Sequence, residues 1–494
     1  MHVKASTTKR IIGGSSVLTV ANGVGRMLSI VTMPILTKAL APEAYGVAAL
    51  VGTVVALTAC IALLGIDMSY ARAYFSRSGP AGDDVEHFAW RFALVASLVG
   101  GLVAAGFWYV AAEPWFHARP ALFPLVALGV LAAIGSTMAQ MRARLLLRYR
   151  RLAFAIVLSA VIAALTSILT AKNWRHDEMP LLLGLVVGYL AIVAMVGVPR
   201  PASLWRPGRL PVAERYELAK IGAAGAVTAP MFWLLSSADR WVLSHYRGPN
   251  EVGVYALGSS IGIVGMMINA AITAVWLPEA ARVFEEDRVH AGVVLGRLAS
   301  RLVAALAIIW LAVTAAGTEL VLMLADNRFH AGATYIPWIA AGVFFYGCSQ
   351  IANAGLLLTR KLKWAAVCWA LAGVGSVFLN ILFIPRFGAL GAAQIQGVSF
   401  CLTSIGIFCL SQRFFHMKVE WGSLAPVLIG IAVLGLMMAH PWNSRPWQSI
   451  ALKFPVGVAA TALTFRFIAP DWFGRAKHGL RRGTWRAGSA AVRR

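Results

Sequence analysis

Apolar runs of about twenty residues follow one another from Ile11 to Ile468, separated by short polar breaks. A helix of that length crosses a hydrocarbon layer of roughly 30 Å. Fourteen such runs are centred near Val24, Val55, Val99, Val130, Val161, Leu190, Leu234, Met266, Ile308, Val343, Val374, Phe400, Val433 and Ala459. The runs near Leu234 and Ala459 are the weakest, because they carry internal charges. The longest polar stretch, Arg200 to Lys220, is too short for a soluble domain. The pattern predicts an all-α polytopic membrane protein of about fourteen transmembrane helices.

A repeat divides these runs into halves. Ala41-Pro42-Glu43-Ala44-Tyr45-Gly46-Val47-Ala48-Ala49-Leu50 returns as Gly248-Pro249-Asn250-Glu251-Val252-Gly253-Val254-Tyr255-Ala256-Leu257, at an offset of 207 with five identities in ten positions. Each copy links the first and second spans of its half. An even number of spans separates the copies, so both halves cross the membrane in the same sense. Parallel repeats of this kind put a substrate site between two lobes. The expected organisation is an N-lobe over 1–199 (spans 1–6), a linker over 200–220, a C-lobe over 221–412 (spans 7–12), two further spans over 413–469, and a basic tail over 470–494.

Composition supports the membrane class. Of 494 residues, 59% are hydrophobic and 13% charged, against about 25% charged in soluble domains. The net charge of +24 would suggest nucleic acid in a soluble protein. Its distribution argues otherwise. With the amino terminus inside, 32 of the 44 Lys and Arg fall on inner segments and eight on outer loops. That positive-inside bias predicts both termini in the cytoplasm and contact with anionic membrane lipids, with no nucleic-acid partner. The first run is not read as a cleaved signal, since it continues past Arg26 to Pro34. The five cysteines all fall in apolar spans without metal-ligand spacing, and no cofactor is expected.

The outer loops argue against an enzyme. Glu113–Pro120, Lys172–Met179 and Pro441–Trp447 are too short to hold an acid, a base and a sugar. No phosphate-binding loop, H-E-x-x-H or G-x-S-x-G motif occurs in a fitting context. Asp83-Asp84 is a weak metal-sugar candidate and reads better as a solvated pair.

Three stretches carry a family resemblance. The first is Asn22-x-x-x-Arg26 followed by Pro34-Ile35-Leu36-Thr37-Lys38-Ala39-Leu40-Ala41-Pro42-Glu43-x-Tyr45-Gly46. The second is Ala238-Asp239-Arg240-Trp241-Val242-Leu243, leading into Pro249-x-x-x-Gly253-Val254-Tyr255-Ala256. The third is Asn380-x-x-Phe383-Ile384-Pro385-Arg386-x-Gly388-x-x-Gly391-Ala392-Ala393. Over residues 10 to 412 the chain resembles the Wzx-type oligosaccharide flippases of bacterial polysaccharide biosynthesis. These belong to the multidrug/oligosaccharidyl-lipid/polysaccharide exporter superfamily. The resemblance implies an undecaprenyl-diphosphate-linked oligosaccharide as substrate, moved across the bacterial inner membrane by alternating access. A polysaccharide polymerase and export machinery would be partners. A drug or metabolite exporter of the same superfamily, or a glycan-handling membrane enzyme, are the alternatives.

Candidate site residues follow from polarity inside apolar runs. Arg26 lies on the order of 22 Å into the hydrocarbon layer. Asn22 and Ser29 sit one turn to either side on the same face. A buried charge of this kind is either a cavity residue or a paired structural one. Asp239 and Arg240 point about 100° apart on the seventh span, so one can line a cavity while the other pairs across helices. Ser236 shares the face of Arg240. Asn269, Gln350 and Asn353, with Gln394 and Gln396, can bond sugar hydroxyls or hold helices together. Pro34, Pro230, Pro278 and Pro385 are expected to bend spans. Trp108, Trp115, Trp276, Trp338 and Trp442 are expected at the interface, and Lys453 and Arg466 are expected to snorkel.

Overall fold

A computed structural model of the protein describes residues 2–75, 82–173, 177–199 and 210–468. The tail 470–494 and residues 200–209 of the linker lie outside them. Among the described residues every regular element is helical. The first half contains α1 (His2–Ala39), α2 (Pro42–Ala62), the short α3 (Ile66–Ala73), α4 (Gly82–Phe116), α5 (Phe123–Leu145), α6 (Tyr149–Asn173) and α7 (Met179–Val196). The second contains α8 (Val212–Ser237), α9 (Asp239–Arg247), α10 (Pro249–Gly262), α11 (Gly265–Glu286), α12 (Ala291–Leu324), α13 (Ile336–Leu358) and α14 (Leu362–Phe414). A hairpin of α15 (Trp421–Met438) and α16 (Pro446–Ile468) follows.

Among the described residues, eleven helices are long and apolar enough to span a membrane, or twelve when the bent pair α10 and α11 counts as one span. Two features bring this towards the fourteen expected. At 53 residues α14 would run roughly 80 Å, far beyond one bilayer. It is two helices joined at Gly388, whose φ of 56° suits a residue without a Cβ. Glu251 caps the second of them, accepting the Ala389 N–H at 2.7 Å. Arg247 donates to the carbonyls of Pro385 and Arg386 at 2.9 and 3.2 Å. The seventh span is α8 and α9, broken at Ala238 and weakened as an apolar run by its own charges. All four prolines expected to bend spans lie inside helices, at Pro34, Pro230, Pro278 and Pro385.

We call distal the end of the bundle at which α1 finishes, and proximal the end at which it starts. The repeat copies meet distally. A Cβ on Gly46 would lie 1.7 Å from the Pro249 carbonyl oxygen, and a Cβ on Gly253 would lie 1.8 Å from the Pro42 carbonyl oxygen. Pro42 and Pro249, like Gly46 and Gly253, are repeat equivalents, so the contact is reciprocal about a pseudo-two-fold axis. Other distal bonds join the same sides. The Asp326 N–H donates to the Thr37 hydroxyl at 3.2 Å, and the Arg328 guanidinium donates to the Thr37 carbonyl at 3.0 Å. The same guanidinium holds the Asp326 carboxyl below its ordinary pKa range. Tyr45 packs edge-on against Phe329, with centroids 5.1 Å apart. Ser244 donates to the Phe116 carbonyl at 3.1 Å, and Trp241 donates to the Thr53 hydroxyl at 2.8 Å.

The buried core shows the same asymmetry. One continuous cluster includes proximal and distal residues of the first half, such as Leu152 and Val126. Apart from Leu218, its members beyond residue 200 are all distal, from Val242 to Ile261, Val321 to Ile339 and Ile384 to Ala393. The proximal core around Trp276 and Leu295 is separate. A proximal link runs from α3 to α8, where Ser69 donates to the Leu218 carbonyl at 2.6 Å. At mid-depth Gly23 of α1 meets Met267 of α11.

Two sequence expectations need correction. Lys453 does not snorkel. It is 2% exposed and paired with the fully buried Glu319 at 2.5 Å, with a second bond to the Met438 carbonyl at 2.7 Å. A charge within the bundle is satisfied by a partner there, and this pair bolts α16 to α12. Trp108 and Trp276 are also not interfacial. Both are buried, donating to the carbonyls of Arg119 and Ile351 at 3.1 Å. A carbonyl within reach satisfies the indole N–H without headgroups.

Two stability predictions follow from these contacts. Gly46→Val should cost about 1–3 kcal/mol through overpacking. Adding Gly253→Val should cost less than its separate value, because the first substitution already parts the helices. Thermal unfolding of single and double variants in detergent measures this, and full additivity would show that the two glycines do not share one contact. Glu319→Leu or Lys453→Met should each cost about 3–5 kcal/mol by stranding a buried charge. The double substitution should recover most of that loss in the same measurement.

Candidate functional site

The polar stripe of α1 changes its surroundings along the helix. Asn22, Arg26 and Ser29 are exposed. Further along the same face, Met33, Leu36 and Leu40 are buried at 5%, 7% and 0%. The opposite face, with Val20, Val24, Met27, Val31 and Ile35, is apolar and exposed along its length, as a lipid-facing side should be. Gly25 and Gly23, on the flanks between these faces, approach Ala160 of α6 and Met267 of α11. The polar face is therefore exposed towards the proximal end and buried towards the distal end. Asn22 and Ser29 bond only the helix backbone, at Leu18 and Gly25. The Arg26 guanidinium has no hydrogen bond or ion pair among the described residues.

The same change appears on α13. Ile339 and Val343 are buried at 1% and 8%. Tyr346, Gln350 and Asn353, on the same face nearer the proximal end, are half-buried, and Leu357 is exposed. Gln350 lies one helical turn from Tyr346, and the Asn353 Oδ1 is buried without a partner. Tyr346 also packs with Phe232, Trp369 and Phe400 at centroid distances of 5.3 to 6.0 Å. Orphaned buried polar atoms call for water or a ligand group.

Asp239 and Arg240 diverge, as adjacent helical residues must. Asp239 is buried. Its carboxylate accepts the Tyr255 hydroxyl and the Arg240 N–H, the latter at 2.8 Å. The Asp239 and Tyr255 of the second motif thus meet across the break between α9 and α10, which is a structural use. Arg240 is half-buried, 5.9 Å from the Tyr255 ring centroid, with its Nε unpartnered. Ser236 donates to the Trp233 carbonyl at 3.3 Å, and its own carbonyl accepts Gln396 at 3.3 Å. The Gln396 side-chain nitrogen is the donor, and its Oε1 is unpartnered. Asn269 is buried and donates to the Val343 carbonyl at 2.7 Å, joining α11 to α13. Asn269 thus joins two helices, whereas Asn22 and Arg26 are exposed and Gln350 and Asn353 half-buried.

Sequence reasoning missed Tyr346 as a member of the α13 stripe. Its spacing of four from Gln350 was available, but a tyrosine in an apolar run reads as core. It also missed Glu319, whose partner lies 134 residues away.

Comparison with known structures follows this architecture. The lipid II flippase MurJ in its inward closed conformation aligns with a TM-score of 0.70 at 11% identity, over 92% of this chain and 99% of that one. An inward-facing multidrug resistance MATE family transporter of the MOP superfamily aligns at 0.52 and 15% identity, over 83% and 95%. An outward-facing one aligns at 0.51 and 16%, over 86% and 96%. The fold is thus that of membrane flippases and transporters, and none of these three is an enzyme. No curated protein sequence matches the chain. The sequence model for polysaccharide biosynthesis proteins matches residues 11–284, more than half of the chain, and the protein belongs to that family.

Proposed function

We propose that the protein flips an undecaprenyl-diphosphate-linked oligosaccharide from the cytoplasmic to the periplasmic leaflet of the bacterial inner membrane, for cell-surface or exopolysaccharide synthesis. The lobes outlined by the repeat rock against each other, and the contact of Gly46 with Gly253 parts when the distal end opens. A polymerase and export machinery take the product. The observation that carries this reading is the unpaired Arg26, on a stripe that is open proximally and buried distally. An unpaired intramembrane charge needs water or an anionic partner, and a guanidinium grips a phosphate through two parallel hydrogen bonds. The stripes of α1 and α13 hold no acid, which disfavours an exporter of cationic drugs. The positive-inside distribution makes the proximal end cytoplasmic.

Three experiments test this reading. Arg26→Ala should slow flipping about 10- to 100-fold at normal protein levels, since hydrogen bonds to charged groups contribute roughly 1.5–3 kcal/mol. Arg26→Lys should keep part of the rate, because an ammonium supplies the charge without the fork. Asn22→Ala should cost about fivefold, matching a neutral bond of roughly 1 kcal/mol. The readout is lipid-linked oligosaccharide retained on the inner leaflet, and a wild-type rate for Arg26→Ala would make Arg26 structural.

A disulfide between Thr37→Cys and Asp326→Cys should lock the distal end, stopping export while the protein stays folded and abundant. Undiminished export with the crosslink formed would remove alternating access through this pair. For topology, a cysteine at 328 should react with an impermeant thiol reagent in intact cells, and one at 148 should not. Labelling at 148 without permeabilisation would invert the orientation.

A further inference from the structure

The loop between α5 and α6 and the loop between α13 and α14 are conformational twins. In the first, the N–H groups of Leu146, Leu147 and Arg148 donate to the carbonyls of Arg142, Arg144 and Ala143 at 2.9, 3.1 and 2.8 Å. In the second, those of Thr359, Arg360 and Lys361 donate to Gly355, Leu357 and Leu356 at 3.2, 3.0 and 2.7 Å. Every donor and acceptor is displaced by 213 residues. Both loops turn on a left-handed residue that is not glycine, Leu147 at φ 54° and Arg360 at φ 58°. Glycine is the usual occupant of this helix-ending position. A side chain is retained there in both halves, against the steric preference of L-residues.

The side chains these turns display are of one kind. Arg148, Arg150 and Arg151 are exposed on the first loop, and Arg360, Lys361 and Lys363 on the second. No Asp or Glu occurs between Pro114 and His176, or between Asn327 and Val419, so no acid on these stretches neutralises them. The side chains of Arg148, Arg150 and Arg360 make no hydrogen bond or ion pair among the described residues. Arg151 is steadied by the Met195 carbonyl at 2.8 Å. Apolar side chains stand beside the cations, with Leu147 55% exposed and Leu362 44%. The Lys363 ammonium lies 5.9 Å from the centre of the Trp364 ring. Both loops sit at the proximal ends of spans, at the level of the membrane surface. Cations interleaved with exposed apolar groups at that level suit a leaflet of anionic lipid, with the charge at the phosphate and the apolar group below it.

We propose that the twin loops are a symmetric pair of binding sites, one in each half, for the phosphate headgroups of anionic phospholipids. Paired guanidiniums on the first loop and a mixed guanidinium and ammonium set on the second each seat a phosphate. Leu147 and Leu362 enter the acyl boundary beneath it. The two sites hold both halves at a fixed depth in the leaflet.

The test uses the full-length protein in neutral detergent, titrated with dioleoyl-phosphatidylglycerol, dioleoyl-phosphatidylcholine or inorganic phosphate and read by native mass spectrometry. Phosphatidylglycerol should be retained and phosphatidylcholine should not. R148Q/R150Q should remove about half of the tightly bound phosphatidylglycerol, and R360Q/K361Q/K363Q the other half. Together they should weaken binding by about tenfold or more, in line with the contribution of a surface cation near an anionic leaflet. Wild-type protein should also lose the lipid at about 0.5 M salt, where screening is strong, so the test stands even if the combined variant does not fold. Equal retention of phosphatidylcholine, unchanged binding by the combined variant, or salt-insensitive binding would overturn the proposal. Saturation by inorganic phosphate alone would overturn the assignment to a lipid headgroup.

Discussion

Backbone contact between α2 and α10 at Gly46 and Gly253 is the constraint on which the rest of the structure depends. Each glycine lies against the carbonyl of the other helix's first proline, closer than any Cβ allows. Because the four residues are equivalent in the repeat, the contact sits on the pseudo-two-fold axis. Membrane helices gain little from the hydrophobic effect, so close backbone approach through small residues is a principal source of their cohesion. That cohesion is concentrated distally. The Thr37–Arg328 and Ser244–Phe116 bonds and the shared core gather around it, and the polar stripe of α1 is exposed towards the proximal end.

Charge is sorted on the same plan. A charge within the hydrocarbon costs a few kcal/mol or more unless it is paired or hydrated. Glu319 and Lys453 answer that cost by pairing with each other, and Asp239 does so through Tyr255 and a backbone N–H. These groups hold helices together. Among the described residues Arg26 has no such partner, and it stands on a face that is exposed proximally. Arg240 is intermediate, half-buried beside the Tyr255 ring with one nitrogen unsatisfied. The difference between structural and free charges is thus one of partners rather than of depth.

Breaks in the helices fall near the distal contact. The seventh span breaks at Ala238 and the eleventh ends at Gly388, which Glu251 caps from α10. Proline lies close to each, at Pro230 and Pro385. A helix end leaves its last carbonyls without intrahelical donors, and Arg247 takes up those of Pro385 and Arg386 just before Gly388.

Much of this was legible in the sequence. Apolar runs of bilayer length count the spans without tertiary knowledge, because every backbone group in lipid must be satisfied within its own helix. The repeat marked Pro42, Gly46, Pro249 and Gly253, and the polar stripe marked Asn22, Arg26 and Ser29, since helical periodicity alone puts them on one face. Partners were not legible. Asn269, Asp239 and Lys453 looked no different from Arg26 as isolated polar residues in apolar runs. Their bonds reach residues up to 134 positions away, set by packing that no local pattern encodes. Trp108 and Trp276 read as interfacial for the same reason, because an indole N–H finds its carbonyl only after helices have docked. The turns at Leu147 and Arg360 were also hidden, since a left-handed residue is announced by glycine and neither is one. Spacing determined which residues share a face. Only the tertiary structure decided which of those faces met a partner and which were left open.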